Sequence, residues 1–439
     1  MKGFPFFEKR RCSFACLISG GKKVWTTRNR KENQMSTQDK FARLVNDNAP
    51  GQEVRQTAAG LTEVLKGDRL DGRPVDFSHG DVDAHPPSPG SFDLFAAGVA
   101  LGGTQAYTEY RGDMGIREMV AERLAAFTGA PVDARDGLIL TPGTQGALFL
   151  AVAATVTRGA KVAIVQPDYF ANRKLVEFLE AEMLPVQMHY ASAAPGEAGL
   201  DLAGLEDAFR AGAKTFLFSN PNNPAGTVYS PAEIARIAAL AAEYGATVIV
   251  DQLYSRLLYS GCTYTHLRVV MPGADNLITI MGPSKTESLS GYRLGVAFGS
   301  PQIVTRMEKL QAIVSLRAPG YSQAVLRGWF AEPEGWMADR IAQHQAIRDD
   351  LVAHFAAIPG CTVRAPEAGS YLFPRLPALT IMSAQFVRAL RLQAGVTVTP
   401  GTEFSPHCAD SIRLNFSQDH AAAVAAVDRL AALVERYRQ

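Results

Sequence analysis

Ser284-Lys285-Thr286-Glu287-Ser288-Leu289-Ser290-Gly291-Tyr292-Arg293-Leu294-Gly295 is the stretch that decides the fold. Before it stands Asn276-Leu277-Ile278-Thr279-Ile280-Met281, a short apolar, β-branched run that reads as a buried strand. Lys285 therefore lies just past a strand end, on a loop rich in Ser and Gly. A sheet holds the base of such a loop while the amine reaches into a cleft. Arg293, further along the same loop, is a permanent cation that can fork onto a phosphate or a carboxylate. An amine and a fixed anion-binding cation on one loop suit Schiff-base chemistry on an aldehyde that carries a phosphate tail.

Upstream, the same strand-then-loop pattern repeats. Residues 137–140 form an apolar run ending in Thr141-Pro142-Gly143-Thr144-Gln145-Gly146. Small residues at a strand-to-helix turn let backbone N–H groups approach an anion at the helix N-terminus. Residues 161–165 lead to Gln166-Pro167-Asp168-Tyr169-Phe170, where an aromatic ring can stack on a flat ligand. Residues 215–218 lead to Ser219-Asn220-Pro221-Asn222-Asn223-Pro224-Ala225-Gly226, and Asn223–Pro224 is a candidate cis peptide. A helix over 231–243 has Pro231 in its first turn and Gly245 beyond its end. Residues 247–250 then run into Asp251-Gln252-Leu253-Tyr254, with an acid where open α/β sheets hold ligands. Strand and helix alternate from 137 to 299, which predicts a mostly parallel central sheet with helices on both faces. Beyond it, long helical patterns run to Phe355. Short strands over 362–364, 369–373, 397–401 and 411–416 and a helix over 421–437 predict a smaller α+β domain.

The ordered set Gly143-Thr144, Tyr169, Pro-Asn-Asn-Pro with Asn223, Asp251, Tyr254, Ser284-Lys285, Arg293 and Arg413 resembles the class I/II aminotransferases, which are fold-type I enzymes dependent on pyridoxal phosphate. The resemblance runs from about residue 75 to the C-terminus. It implies that Lys285 carries the cofactor as a Schiff base and moves the substrate Cα proton. It implies that Thr144, Gln145, Ser284 and Arg293 hold the phosphate, that Tyr169 stacks on the pyridine ring, and that Asp251 pairs with the ring nitrogen. Asn223 and Tyr254 would reach the 3′-oxygen, and Arg413, with Asn223 and Gly80, the substrate carboxylate. The family's tyrosine at the Tyr107 position reaches the phosphate of a neighbouring subunit, which implies a homodimer with shared active sites. Gly282 departs from the pattern: many relatives carry a phosphate-binding serine there. The implied reaction moves the α-amino group of an amino acid to a 2-oxo acid. Lyases, cyclases and oxidases on the same scaffold begin with the same proton abstraction and are the alternative.

Composition agrees with a globular enzyme: 439 residues, 47% hydrophobic and 20% charged. A net charge of +1 lacks the basic stripe of a nucleic-acid binder. No apolar run is long enough for a membrane span. Five scattered cysteines read as reduced thiols in a cytoplasmic protein rather than a disulfide framework or a metal site. Residues 1–34 carry nine Lys/Arg against two Glu and read as a disordered basic extension. Residues 35–84, with short helical pieces at 39–45 and 60–66, read as an N-terminal arm contributing to the small domain. Residues 85–330 read as the large cofactor-binding domain and 331–439 as the C-terminal small domain. His79, Arg111 and Arg317 are candidates for sorting substrate side chains.

Overall fold

A computed structural model describes residues 36–42, 44, 61 and 63–439. The basic extension expected over 1–34 lies outside the described residues. Strand β1 is Val75–Asp76; β2 to β8 are Leu138–Pro142, Lys161–Gln166, Glu182–Gln187, Thr215–Ser219, Thr247–Asp251, Leu277–Met281 and Leu294–Gly299. The last four are β9 Tyr371–Leu372, β10 Val396–Thr397, β11 Thr399–Pro400 and β12 Ile412–Asn415. Strands β2 to β8 make one sheet in the order β2-β8-β7-β6-β5-β3-β4. Every pairing is parallel except those of β8, which runs antiparallel to both β2 and β7. The exception has a local cause. The lysine loop returns directly from β7 to β8 with only a 3₁₀ turn at Ser290–Tyr292, and a parallel neighbour would need a full crossover.

Alternation along the buried strands builds the two cores. Phe216, Phe218, Val248 and Val250 face one layer, with Leu205 and Ile237 from the helices Leu202–Arg210 and Pro231–Tyr244. Leu217, Ile249, Ile278 and Ile280 face the other, with Leu148 and Val304 from Gly143–Thr155 and Pro301–Val314. The helix Pro231–Tyr244 is fixed at both ends by sequence chemistry. Ser230 and Glu233 form a reciprocal capping box, and Gly245 takes the left-handed conformation at φ 58°.

A further core joins Val75 and Phe77 to the helices Trp336–Ala356, Ser383–Ala394 and His420–Tyr437 and to the short strands β9 to β12. The arm thus packs with the C-terminal region, and β1 pairs in parallel with β10.

Several local expectations are corrected. Strand β4, over residues where the sequence pattern predicts no element, pairs only with β3 at the sheet edge, a place that tolerates Pro185. The 362–364 strand reduces to a single bridge of Thr362 with Arg375, and 369–373 shortens to β9. The arm has a helix at Thr37–Ala42, but Leu61, Glu63 and Val64 lie in turns and Leu65 and Lys66 in irregular chain. Among the described residues the cis peptides are Gln166–Pro167 and Asn220–Pro221, not Asn223–Pro224. Proline makes either bond eligible, and only the surrounding structure chooses.

Candidate active site

The carboxyl ends of β2, β3, β5, β6 and β7 lie along one edge of the sheet, and each hands a loop to the same cleft. Strand order reverses between β3 and β5, where open α/β sheets hold ligands. The cleft contains a cavity of about 280 Å³ lined by Thr144, Gln145, Tyr169, Asn223, Asp251, Tyr254, Ser284, Lys285, Arg293 and Arg413. Residues predicted from six separate segments therefore share one space.

At the turn after β2, Gly143 has φ 75°, and a Cβ on it would come within 2.3 Å of Arg293 Nη2. Only glycine meets both demands. Arg293 itself sits at φ 53° and donates from Nη1 to the Ser290 carbonyl at 2.9 Å. The Ser284 hydroxyl donates to Leu294 O at 3.3 Å, closing the loop on β8. Gly282 has a steric reason: a Cβ there would lie 2.9 Å from Thr144 Cγ2 and 3.1 Å from Leu294 O. The Thr144 side chain fills the space a larger residue would need.

Asp251 ends β6, and the Leu253 N–H donates to its Oδ1 at 3.0 Å. Burial pushes its carboxyl up to about 6, against that single hydrogen bond. The Tyr169 hydroxyl donates to Gln145 Oε1 at 3.0 Å, which fixes the ring at the cavity wall. Phe170 also lines the cavity. Arg413, 1% exposed, reaches in from β12. It donates to Asn223 Oδ1 at 3.2 Å and to the Ser78 carbonyl at 3.0 Å, with its guanidinium over the rings of Tyr371 and Phe404. Its Nε is buried without a partner.

Other expected residues fall elsewhere. Gly80 is outside the cavity lining, where its neighbours Ser78 and His79 stand instead. Tyr107 is 81% exposed and does not reach the cavity of its own chain. Arg111 is committed to Glu308, Asp136 and two carbonyls. Arg317 lies over the rings of Tyr107 and Tyr110.

Two contributors were not singled out from sequence. The Tyr371 hydroxyl is 2.7 Å from that of Tyr254. Burial alone would push it up, but the Lys285 ammonium and the Arg413 guanidinium hold it below the usual phenol range. Burial and the facing Tyr371 raise Tyr254. The second contributor is Asp168, whose carboxylate accepts from the Ser219 N–H at 2.9 Å, from the Ser219 hydroxyl and from the Tyr169 N–H at 2.6 Å. Ser219 Oγ in turn accepts from the Asn223 N–H at 3.1 Å, so Asp168 braces both Tyr169 and Asn223. Burial pushes Asp168 up to about 7. Among the described residues no cluster of His, Cys, Asp and Glu could hold a metal ion, and no helix is long and apolar enough to cross a membrane.

Comparison with known proteins identifies the family. Residues 97–430 match the family described as aminotransferase class I and II. The Bacillus subtilis putative aminotransferase YugH is 28% identical, over 71% of this chain and 80% of its own. An arginine–pyruvate transaminase of Pseudomonas aeruginosa, AruH, is 25% identical over 87% of this chain and 93% of its own. The crystal structure of an aspartate aminotransferase from Rhodobacter sphaeroides superposes with a TM-score of 0.89 and 71% identity, covering 92% of this chain and 100% of that one. A strand-end lysine and arginine, a matched family over most of the length and a shared fold lead to one conclusion: the chain belongs to the class I and II aminotransferase family and is an aminotransferase of fold type I.

Proposed function

We propose that this aminotransferase uses pyridoxal phosphate, takes aspartate as amino donor and passes the amino group to a 2-oxo acid. The observation that carries the reading is the convergence of Lys285, Asp251, Arg293 and Arg413 on one cavity. The residues fit the cofactor. Gly143 leaves a cradle beside Arg293 at the start of the helix Gly143–Thr155, where backbone N–H groups and the helix dipole favour a phosphate. Asp251 is a half-buried acid at the cavity wall whose side chain has only the Leu253 N–H to stabilise its charge, and it awaits a cation. Tyr169 offers a ring at the cavity wall. Thr144, Gln145, Ser284 and Arg293 would hold the phosphate, Lys285 the aldehyde carbon, Asp251 the ring nitrogen, and Asn223 and Tyr254 the 3′-oxygen. When bound, the cofactor supplies an electron sink for the pair released at the donor Cα.

The chain's own residues do the rest. Arg413 binds the donor carboxylate and has an unpartnered Nε available beside its bond to Asn223. Lys285 would take and return the Cα proton of the donor. The Tyr254–Tyr371 hydroxyl pair lines the same cavity as the Lys285 amine. Aspartate is favoured because the 71% identical neighbour is an aspartate aminotransferase. A screen of aspartate, arginine, tyrosine and asparagine against pyruvate and 2-oxoglutarate tests it. Aspartate should give the highest kcat/KM. A preference for arginine or tyrosine would overturn the substrate, and ammonia release without an acceptor would indicate a lyase.

The reading includes a cytosolic homodimer. Cys262, Cys361 and Cys408 are free thiols. Exposed apolar side chains gather on Phe92, Leu101, Tyr107 and Tyr110 and on Ile313 and Leu316. The two stretches meet where Gln105 donates to the Gly320 carbonyl and Arg317 covers Tyr107 and Tyr110. A second copy would cover this face and bring its Tyr107 to the phosphate. Mixing the inactive Lys285→Ala and Tyr107→Ala variants should restore part of the activity, since one site of the mixed dimer carries neither lesion. No recovery after proven subunit exchange would reject the shared site.

A further inference from the structure

Behind the lysine loop, out of the cavity, lies a buried cluster that the reaction does not use directly. Arg256 pairs with Glu287 through Nη1 and grips Glu332 with both nitrogens, at 2.8 and 3.0 Å. The side chains are 10%, 1% and 6% exposed. The Phe330 ring lies 4.0 Å from the guanidinium carbon, and the Phe330 N–H donates to Glu332 at 3.1 Å. Arg256 stands two residues beyond Tyr254, and Glu287 two residues beyond Lys285. The ion pair therefore crosses between the loop after β6 and the loop after β7. Glu287 is also held through its backbone, since the Ser88 N–H donates to its carbonyl at 3.0 Å. Arg340 donates to Ser288 Oγ at 3.0 Å and to the Pro86 carbonyl at 2.8 Å. Ser288 has φ 56°, a conformation that persists in a non-glycine residue only where the surroundings dictate it.

We propose that Glu287, Arg256 and Glu332 form a positioning clamp that sets the Lys285 amine against the Tyr254–Tyr371 hydroxyl pair. The chemistry of the cluster favours this over a role in stability. Two carboxylates share one guanidinium, and burial pushes Glu287 up to about 7 despite its ion pair. A buried set of this kind is no more stabilising than well-packed apolar side chains. What it supplies is direction: the forked Arg256 fixes both loops at set angles, which dispersion contacts do not. Lys285, Tyr254 and Tyr371 line the same cavity and the two hydroxyls are 2.7 Å apart, so a shift of the lysine loop moves the amine relative to that pair.

The inference rests on the reading of Lys285 as the cofactor-bearing residue, and the test separates the two. Cofactor-loaded wild type is first examined for covalent cofactor on Lys285. Its absence there overturns the underlying reading. Glu287→Gln, which keeps the shape and removes the charge, is then compared with Arg256→Met/Glu287→Met/Glu332→Gln, which replaces the clamp by largely apolar groups. Both should retain cofactor and melt close to wild type. Their kcat should fall about tenfold to a hundredfold with little change in the donor KM, the cost of sub-ångström misplacement. The absorbance titration of the loaded protein, which reports protonation at the Lys285 linkage, should shift in both. Wild-type kcat and an unmoved titration in folded, loaded variants would overturn the clamp. If the triple variant does not fold, Glu287→Gln alone decides between these outcomes.

Discussion

Asp251 and Tyr371 show how a single side chain takes its chemistry from its surroundings. An aspartate at the end of a buried strand, itself half-buried at the cavity wall, has lost much of its water, and one backbone N–H does not replace it. Its carboxyl climbs to about 6 and pairs readily with a buried cation. Asp251→Asn should leave the fold intact and the cofactor bound while kcat falls by about two orders of magnitude or more, because the electron sink loses its counter-charge. Near-normal turnover would refute the role. Tyr371 is the reverse case. Its hydroxyl is buried, yet the neighbouring Lys285 and Arg413 charges hold it below the phenol range. Tyr371→Phe removes the partner of Tyr254 and should lower kcat by about tenfold with the cavity shape kept. An unchanged kcat would leave Tyr371 as packing for Arg413.

The elements at the sheet edge are brought together by glycines. A Cβ on Gly295, in β8, would meet Gly143 C at 2.3 Å and Thr144 N at 2.5 Å. The phosphate-side turn and the strand after the lysine loop touch backbone to backbone. Gly295→Ala must therefore part β8 from the start of the helix Gly143–Thr155. It should cost about 1–3 kcal/mol in urea unfolding and weaken cofactor binding as well. A loss of stability without a loss of cofactor affinity would mean that the turn adapts independently of β8.

On the scale of the whole molecule, buried ionisable groups tie stability to pH. Asp251 has a raised carboxyl in the folded protein without cofactor, so the folded state holds its proton more tightly than the unfolded state does. The stability this contributes is present below the ordinary carboxylate range and is lost as pH rises through about 6. A paired cation would keep Asp251 ionised and remove the loss. The gain in melting temperature on adding cofactor should then grow between about pH 4 and about pH 6 and level off above it. Burial lowers His266 to about 4 and His344 to about 3, with opposite sign. They act with and without cofactor and drop out of the difference. Asp251→Asn should abolish the growth; if it persists, another group is responsible.

The sequence alone determined the sheet apart from its edge strand β4, its cover of helices and most of the cavity wall. Each loop of that wall follows an apolar run whose period reports burial on one or both faces, and the resemblance to the class I/II aminotransferases supplied the residue roles. Lys285, Asp251, Asn223, Tyr169 and Thr144 were legible because a strand fixes where the next residue emerges. Tertiary structure decided what depends on a distant partner. Asp168 matters through Ser219, Tyr371 through Tyr254 and Lys285, and Glu287 through Arg256, each on a different element. Edge strand β4 was hidden because pairing on one side only tolerates Pro185 and polar ends. The choice of Asn220–Pro221 over Asn223–Pro224 for the cis bond was likewise set by contacts and not by composition. Local sequence encodes dihedral preference and burial. The field at a buried charge comes from groups that only folding brings near, because charge interactions in a low-dielectric interior depend on distance in space and not along the chain.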